Sequence, residues 1–502
     1  MDIIAKIQRI AEEDPDRTAF LFRTGRISYG ELFQRASRLA ARISEELPDE
    51  RQAIPVYGHK NIWMPVCFLA CALSGHAYVP MDVNMPASRI ADIVDAVASP
   101  LVLAGEEFEG PDGVRVIGPD RLEEICRREA DLSPIIRRKK RAADDIYYMI
   151  FTSGSTGKPK GVQVTWANLN AYLDWSVKLV GDRRGVFLNQ APFSFDLSVM
   201  DTYTGLATGS TIVSLDHDLL RDVPSAVDFI RRHGVNYWVS TPSFADLAMG
   251  DRNFCAANLP ELSHFLFCGE PLTPKTVRGL RDRFPKAHII NTYGPTETTV
   301  CVTAVEITDE ILRTESLLPV GYVKAGTEIY AADREGRRLG FGRTGELIIN
   351  GDTVAAGYYG NKEQTARHFF TDRDGKASYR TGDLGYVRED GMVYCCGRAD
   401  QQIKLHGYRI ELGDIEKNLL ALDGVEAAVV LPKMREGRVH SLAAVILQKE
   451  GTDDSYARRK YIRQSLGERI PAYMVPKKIV LLNSFPVTLN GKVDKKALEG
   501  LI

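Results

Sequence analysis

The chain has 502 residues, 44% of them hydrophobic and 26% charged, with a formal net charge of −2. That length suits two or more domains with a large core, and the near-neutral balance gives nucleic acid or a membrane surface no general electrostatic hold. Eight cysteines without a C-x-x-C pair or a metal-ligand spacing with His argue against a disulfide framework or a zinc module and favour a reduced, cytoplasmic setting.

In chain order, Met1–Leu21 mixes acidic and basic residues at helical spacing and lacks the apolar region of a signal peptide. The run IWMPVCFLACAL is too short to span a bilayer and reads as a buried helix. Apolar β-type runs (AIPVY, LVLAG, TIVSL, NYWVS, HIINTY, GELIING) then alternate with helical stretches, among them those near Ala87–Val97 and Thr276–Arg283. Alternation of this kind predicts an α/β class with mostly parallel sheets covered by helices. The basic run Arg137–Arg141 reads as a solvated linker or face. After Arg398 the pattern changes. Residues 401–502 carry 17 Lys+Arg against 12 Asp+Glu. Helices near Glu411–Ala421 and Asp454–Ile470, with strands near Val425–Leu431 and Leu442–Leu447, predict a small α+β domain. The expected division is 1–398 and 399–502.

Five local patterns carry chemistry. The loop between the strands expected at Asp145–Phe151 and Val162–Thr165 reads TSGSTGKPKG, from Thr152 to Gly161. Its glycines let backbone N–H groups converge, and such nests bind anions. Hydroxyls and lysines add donors and charge. It fails the G-x-x-x-x-G-K-[ST] pattern and lies between strands, so it has no helix dipole to use. A mobile Gly/Ser connector is the plain alternative. Further on come NTYGPTETTV (Asn291–Val300), YRTGDLG with Asp383 in an expected turn, GRADQQIKLHGYRIEL (Gly397–Leu412), and LNGKVDKK with Lys492 on an N-G turn.

All five patterns in this order resemble the adenylate-forming enzymes, the superfamily of acyl- and aryl-CoA synthetases, luciferases and nonribosomal-peptide adenylation domains. The resemblance covers essentially the whole chain. It implies a large N-terminal domain of mixed and parallel sheets covered by helices, plus a small C-terminal domain on a hinge. It also implies ATP and Mg²⁺ as cofactors and a first step that joins a carboxylate to the α-phosphate. A carboxylate is already ionised near neutral pH, so this step needs positioning and charge neutralisation rather than a base. By resemblance, Thr152, Ser153, Gly154, Ser155, Thr156 and Gly157 handle the outer phosphates. Asn291, Thr292, Tyr293, Gly294, Pro295 and Thr296 line the nucleotide, and Glu297 holds the metal. Asp383 accepts from the ribose hydroxyls, Arg398 touches ribose or phosphate, and Lys492 is the catalytic residue that bridges the substrate carboxylate and the adenylate. Asp400 is the hinge, and Lys404 and Gly407 lie on the segment that swings in for transfer to a thiol.

The segment NQAPFSFDLSVMD (Asn189–Asp201) places Asp196 where amino-acid-activating members pair the substrate ammonium. A carboxylate among Phe193, Phe195 and Leu197 needs a cation to justify its burial. It also stands where an N-cap would. Leu266, Cys268, Val300 and Cys301, with Ser240 more weakly, complete a small, mostly apolar pocket in the same reading. These segments most resemble the branch of D-alanine–carrier-protein ligases. That branch implies D-alanine and a small acidic phosphopantetheinylated carrier protein as partners, and a role in esterifying teichoic acids. Because the chain ends soon after Lys492, a stand-alone enzyme is expected. The alternative is a stand-alone adenylation enzyme for L-alanine, glycine or serine.

Overall fold

The computed structural model describes residues 2–47, 52–130, 142–153, 159–400, 402–405, 407–435, 437–449, 455–486 and 494–502. The basic run at 137–141, loop residues Gly154–Lys158, and Lys492 lie outside them.

The chain resolves into two compact units. One comprises Met1–Val83, Ala96–Phe151 and Gly161–Ala399; the other Asn84–Asp95, Thr152–Lys160 and Asp400–Ile502. The first unit is built mainly on three sheets. In the nine-stranded sheet, six central strands run parallel in the order His288–Tyr293, His264–Phe267, Tyr237–Ser240, Val186–Asn189, Thr211–Ser214, Thr18–Phe22. Antiparallel strands finish both edges. In the six-stranded sheet, Arg115–Ile117, Leu101–Ala104, Ile54–Tyr57, Tyr78–Met81 and Ile146–Thr152 pair in parallel, and Lys160–Thr165 completes the edge. The third sheet supplies the antiparallel part of the expected mixed architecture. Thr327–Ala332, Gly345–Gly351, Ala377–Val387, Phe369–Thr371 and Val393–Arg398 are all antiparallel. The five-residue connections from Thr371 to Ala377 and from Val387 to Val393 are too short for the helical crossovers that parallel strands require.

Helices cover the parallel sheets as expected. IWMPVCFLACAL contributes Trp63–Ser74, buried at every position, and Pro65 sits in its first turn, where no intrahelical N–H bond is lost. Helix Leu197–Thr208 is also buried throughout and ends on left-handed Gly209. Helix Tyr29–Glu46 starts with a capping box between Ser28 and Glu31. In the second unit, Val425–Arg435 and Arg438–Gln448 pair antiparallel, and Lys478–Leu482 adds in parallel. Helices Leu412–Leu420 and Tyr456–Gly467 share its apolar core. No helix among the described residues is long and apolar enough to cross a membrane.

Candidate active site

Ligands of open parallel sheets gather beyond the carboxyl ends of the strands. The expected site residues of the first unit follow that rule. Asp196 comes seven residues after the end of Val186–Asn189, Cys268 directly follows His264–Phe267, and the GPTE turn directly follows His288–Tyr293.

The GPTE turn has a strained backbone. A Cβ on Gly294 would lie 2.5 Å from the Cα of Cys301, so only glycine fits. After the short 3₁₀ turn Thr296–Thr298, Thr299 and Val300 both adopt left-handed conformations, with φ of 61° and 68°. For β-branched residues this is costly and persists only where surrounding contacts enforce it. Here Thr299 Oγ1 donates to the Thr353 carbonyl at 2.8 Å, and Ala355 N–H donates to the Glu297 carbonyl at 2.9 Å. Glu297 is 1% exposed, and its Oε1 accepts from the Tyr358 hydroxyl at 2.7 Å. A buried carboxylate held by a neutral donor is suited to a hard cation that favours oxygen ligands.

Asp383 departs from the sequence expectation. It lies inside strand Ala377–Val387 rather than in a turn, directly opposite Arg398. Left-handed Gly382 lets the ladder slip there, which gives the motif its turn-like signature. Arg398 Nη1 donates to Asp383 Oδ1 and the Tyr293 hydroxyl donates to Oδ2, both at 2.6 Å. Burial, with the Asp383 charge second, pushes the Tyr293 phenol well above its ordinary range. Each carboxylate oxygen retains a lone pair, so Asp383 can still accept from two further hydroxyls. Asn291 and Thr292 spend side-chain donors on the Pro319 and Phe267 carbonyls, at 2.7 and 2.8 Å. They brace the wall of the site.

Asp196 stands at the N-cap position of Leu197–Thr208 and is half-buried, yet its side chain makes no cap hydrogen bond. Its own dihedrals are already helical, whereas a capping side chain requires an extended residue. Its charge is felt by buried Tyr148, whose phenol is raised mainly by burial. Leu266, Cys268, Val300 and Cys301 are all buried. The Cys268 thiol lies 4.0 Å from the Val300 carbonyl, and burial pushes the Cys301 thiol well up, so it stays protonated. Ser240 is buried but committed elsewhere, accepting from Trp238 and donating to the Thr241 carbonyl. In the second unit, Ser153 Oγ donates to the Arg409 carbonyl at 2.8 Å, Lys404 lies on strand Gln402–Leu405, and Gly407 is left-handed. Thr152 ends its strand, Asp400 is the first residue after the boundary at Ala399, and Gly154–Gly157 and Lys492 fall outside the described residues.

A buried network escaped the sequence reading. Lys60 Nζ donates to Asn189 Oδ1 and the Ala191 carbonyl and lies 4.0 Å from the Phe193 ring centre. Asn189 Nδ2 donates to Asp201 at 2.7 Å. Lys60 thus ties down the segment that leads to Asp196. Burial pushes Lys60 down to about 7 and Asp201 up to about 8. Lys60 and Asn189 are 129 positions apart, and only their shared strand-end location could have linked them.

Residues 7–359 match the AMP-binding enzyme family, and residues 414–492 match the AMP-binding enzyme C-terminal domain. The D-alanine–D-alanyl carrier protein ligase of Bacillus licheniformis is 42% identical over 99% of both chains. That of Bacillus cereus is 42% identical over the same shares. A solved nonribosomal-peptide-synthetase protein with adenylation and peptidyl-carrier domains superposes with a TM-score of 0.85 at 28% identity, over 100% of this chain and 84% of that one. With strand-end site, sheets and full-length relatives in agreement, this chain belongs to the AMP-binding enzyme family.

Proposed function

We propose that the protein activates D-alanine with ATP as D-alanyl-adenylate and passes the acyl group to the phosphopantetheine thiol of a small acidic carrier protein. The observation that carries the reading is Asp196, a half-buried carboxylate at a helix start that does not cap its helix. A substrate ammonium would pair with that carboxylate, and an acyl-CoA ligase would have no use for it. The full-length relatives of that name support the same substrate.

In this reading Asp196 orients the amino acid by its ammonium, and the small pocket of Cys268, Val300 and Cys301 limits its side chain. Asp383, steadied by Arg398 and Tyr293, accepts the ribose hydroxyls. Thr152–Gly157 hold the outer phosphates. Glu297 would hold Mg²⁺, which supplies neutralisation of phosphate charge when bound. Lys492 bridges the two reacting anions. The chain divides as 1–398 and 399–502, and rotation about Asp400 separates adenylation from thiol loading. Between D- and L-alanine, fit in the pocket has a modest task of about 1–3 kcal/mol.

ATP–pyrophosphate exchange with D-alanine, L-alanine, glycine and D-serine tests the proposal. D-Alanine should support the fastest exchange. Equal exchange with L-alanine would replace D-alanine specificity with activation of another small amino acid, and no exchange with any of the four would remove the amino-acid reading.

A further inference from the structure

Away from Asp196 and Glu297, two histidines and an aspartate meet at the carboxyl ends of three parallel strands. Strands Ile54–Tyr57 and Tyr78–Met81 are neighbours, with Tyr57 opposite Met81. His59 follows the first by two residues, and Asp82 directly follows the second. The third residue comes from the other parallel sheet. His217 lies just beyond strand Thr211–Ser214 and opens a short helix capped by Asp216. His59 Nδ1 stands 2.7 Å from Asp82 Oδ2, and His217 Nε2 stands 3.5 Å from Asp82 Oδ1. The two imidazoles stack with centroids 3.6 Å apart and planes 10° apart. One donor atom from each residue falls within a span of 4.8 Å.

We propose that His59, Asp82 and His217 form a binding site for a divalent transition metal, with zinc the best fit, that staples the two parallel sheets together. Two imidazoles and one carboxylate suit Zn²⁺ and its neighbours, whereas Mg²⁺ prefers all-oxygen sets. The site is therefore chemically distinct from the role given to Glu297. Tetrahedral zinc with bonds of about 2.0–2.2 Å sets its donors roughly 3.3 Å apart. The two His–Asp spacings, 2.7 and 3.5 Å, bracket that value, and closure requires the stacked imidazoles to turn out of their parallel arrangement so that both lone pairs meet one ion. The surroundings hold the donors in place. Glu106 accepts from the His59 backbone N–H at 2.8 Å and from Asn61 at 3.2 Å. Arg23 pairs with Asp216 and Asp218 on either side of His217. The side chains of His59 and Asp82 are 7% and 8% exposed, while that of His217 is 30% exposed. His217 gives the ion an entry path and a place for water as fourth ligand. His59 Nε2 is buried without a hydrogen-bond partner among the described residues. With Nδ1 turned to zinc the ring carries its proton on Nε2, so the metal fixes the tautomer without giving Nε2 a partner. The bland alternative is an Asp82 carboxylate that merely bonds to two histidines.

The test uses the full-length chain, stripped with a chelator and dialysed. Zn²⁺ binding is followed by equilibrium dialysis with elemental analysis, and Co²⁺ by its visible ligand-field absorption. The expected result is one Zn²⁺ per chain, tetrahedral-type Co²⁺ absorption, and a rise in Tm with zinc but not with an equal concentration of Mg²⁺. His217→Ala, on the exposed side, should fold and weaken zinc affinity at least about a hundredfold, the upper end of what losing even an outer-shell partner costs. Asp82→Asn should abolish the cobalt absorption, and its circular dichroism reports whether it folds. Stoichiometric zinc retained by His217→Ala, or no zinc bound by the folded parent, would overturn the proposal. These readouts do not depend on which acid the enzyme activates.

Discussion

At the scale of single residues, Asp196 and Asp383 are two carboxylates in different circumstances. Asp383 has a strong donor on each oxygen. Tyr293→Phe removes one, a hydrogen bond to a charged group worth about 1.5–3 kcal/mol. Urea melts should show that loss, and KM for ATP should rise more than kcat falls. Asp196 has no cap bond to lose. Asp196→Ala should cost about 2–5 kcal/mol in kcat/KM for the amino acid, as truncating one partner of a buried charge pair does, while ATP binding stays near the parent value. Unchanged amino-acid affinity would return Asp196 to a structural role. A third carboxylate, Asp201, makes a pH prediction. Burial raises it from 3.8 to about 8. Between those values the folded chain binds more protons than the unfolded one, so this group's contribution to stability falls as pH rises. Asn cannot titrate. The stability of the parent relative to Asp201→Asn should therefore decline from about pH 5 to about pH 9 in urea melts. A difference that grows with pH would instead mean that ionised Asp201 is stabilised by Lys60.

At the scale of elements, the site is a set of strand ends and the loops that leave them. Gly294 is a tight point, because a methyl there meets backbone rather than a movable side chain. Gly294→Ala should destabilise the protein by about 1–3 kcal/mol, the usual range for overpacking. It should also slow adenylation at least tenfold, because it shifts Glu297 and Val300 together; a melt and a pyrophosphate-exchange assay on the same preparation separate the two effects. Much of this was legible in the sequence. HIINTY, GELIING and the buried helix at Trp63 show their period and composition within a short window, and the GPTE motif marks its loop by glycine. Asp383 was misplaced into a turn because a left-handed glycine inside a strand carries the same local mark as a turn. Which sheet is antiparallel was not legible because strand direction is a property of pairing, not of any one strand's composition. The Lys60–Asn189–Asp201 network and the His59–Asp82–His217 cluster were missed for the same reason. Each residue is ordinary in its own stretch, and only the sheet topology assembles them.

At the scale of the whole molecule, the cut between compact units falls between Ala399 and Asp400, within the motif G-R-x-D. Arg398, on the near side, is fixed to Asp383 and to the Thr381 carbonyl. Asp400, on the far side, accepts a local bond on its carboxylate from the Gln402 N–H at 3.1 Å. A rigid strand end followed by a locally bonded residue suits a pivot, since hinges absorb φ/ψ change at a few element-terminal positions. Asp400→Pro fixes φ near −65° and removes that freedom. If the two half-reactions need different settings of residue 400, the variant should keep D-alanine-dependent pyrophosphate exchange within about twofold. Loading of the carrier thiol should fall at least about tenfold. An equal loss of both half-reactions would mean that the substitution damages the Arg398–Asp383 clamp next to it. An equal retention of both would show that the chain pivots elsewhere, or that thiol transfer needs no pivot. Running exchange and carrier loading on one preparation, with a melt to confirm that Arg398 still holds its strand, separates these three outcomes.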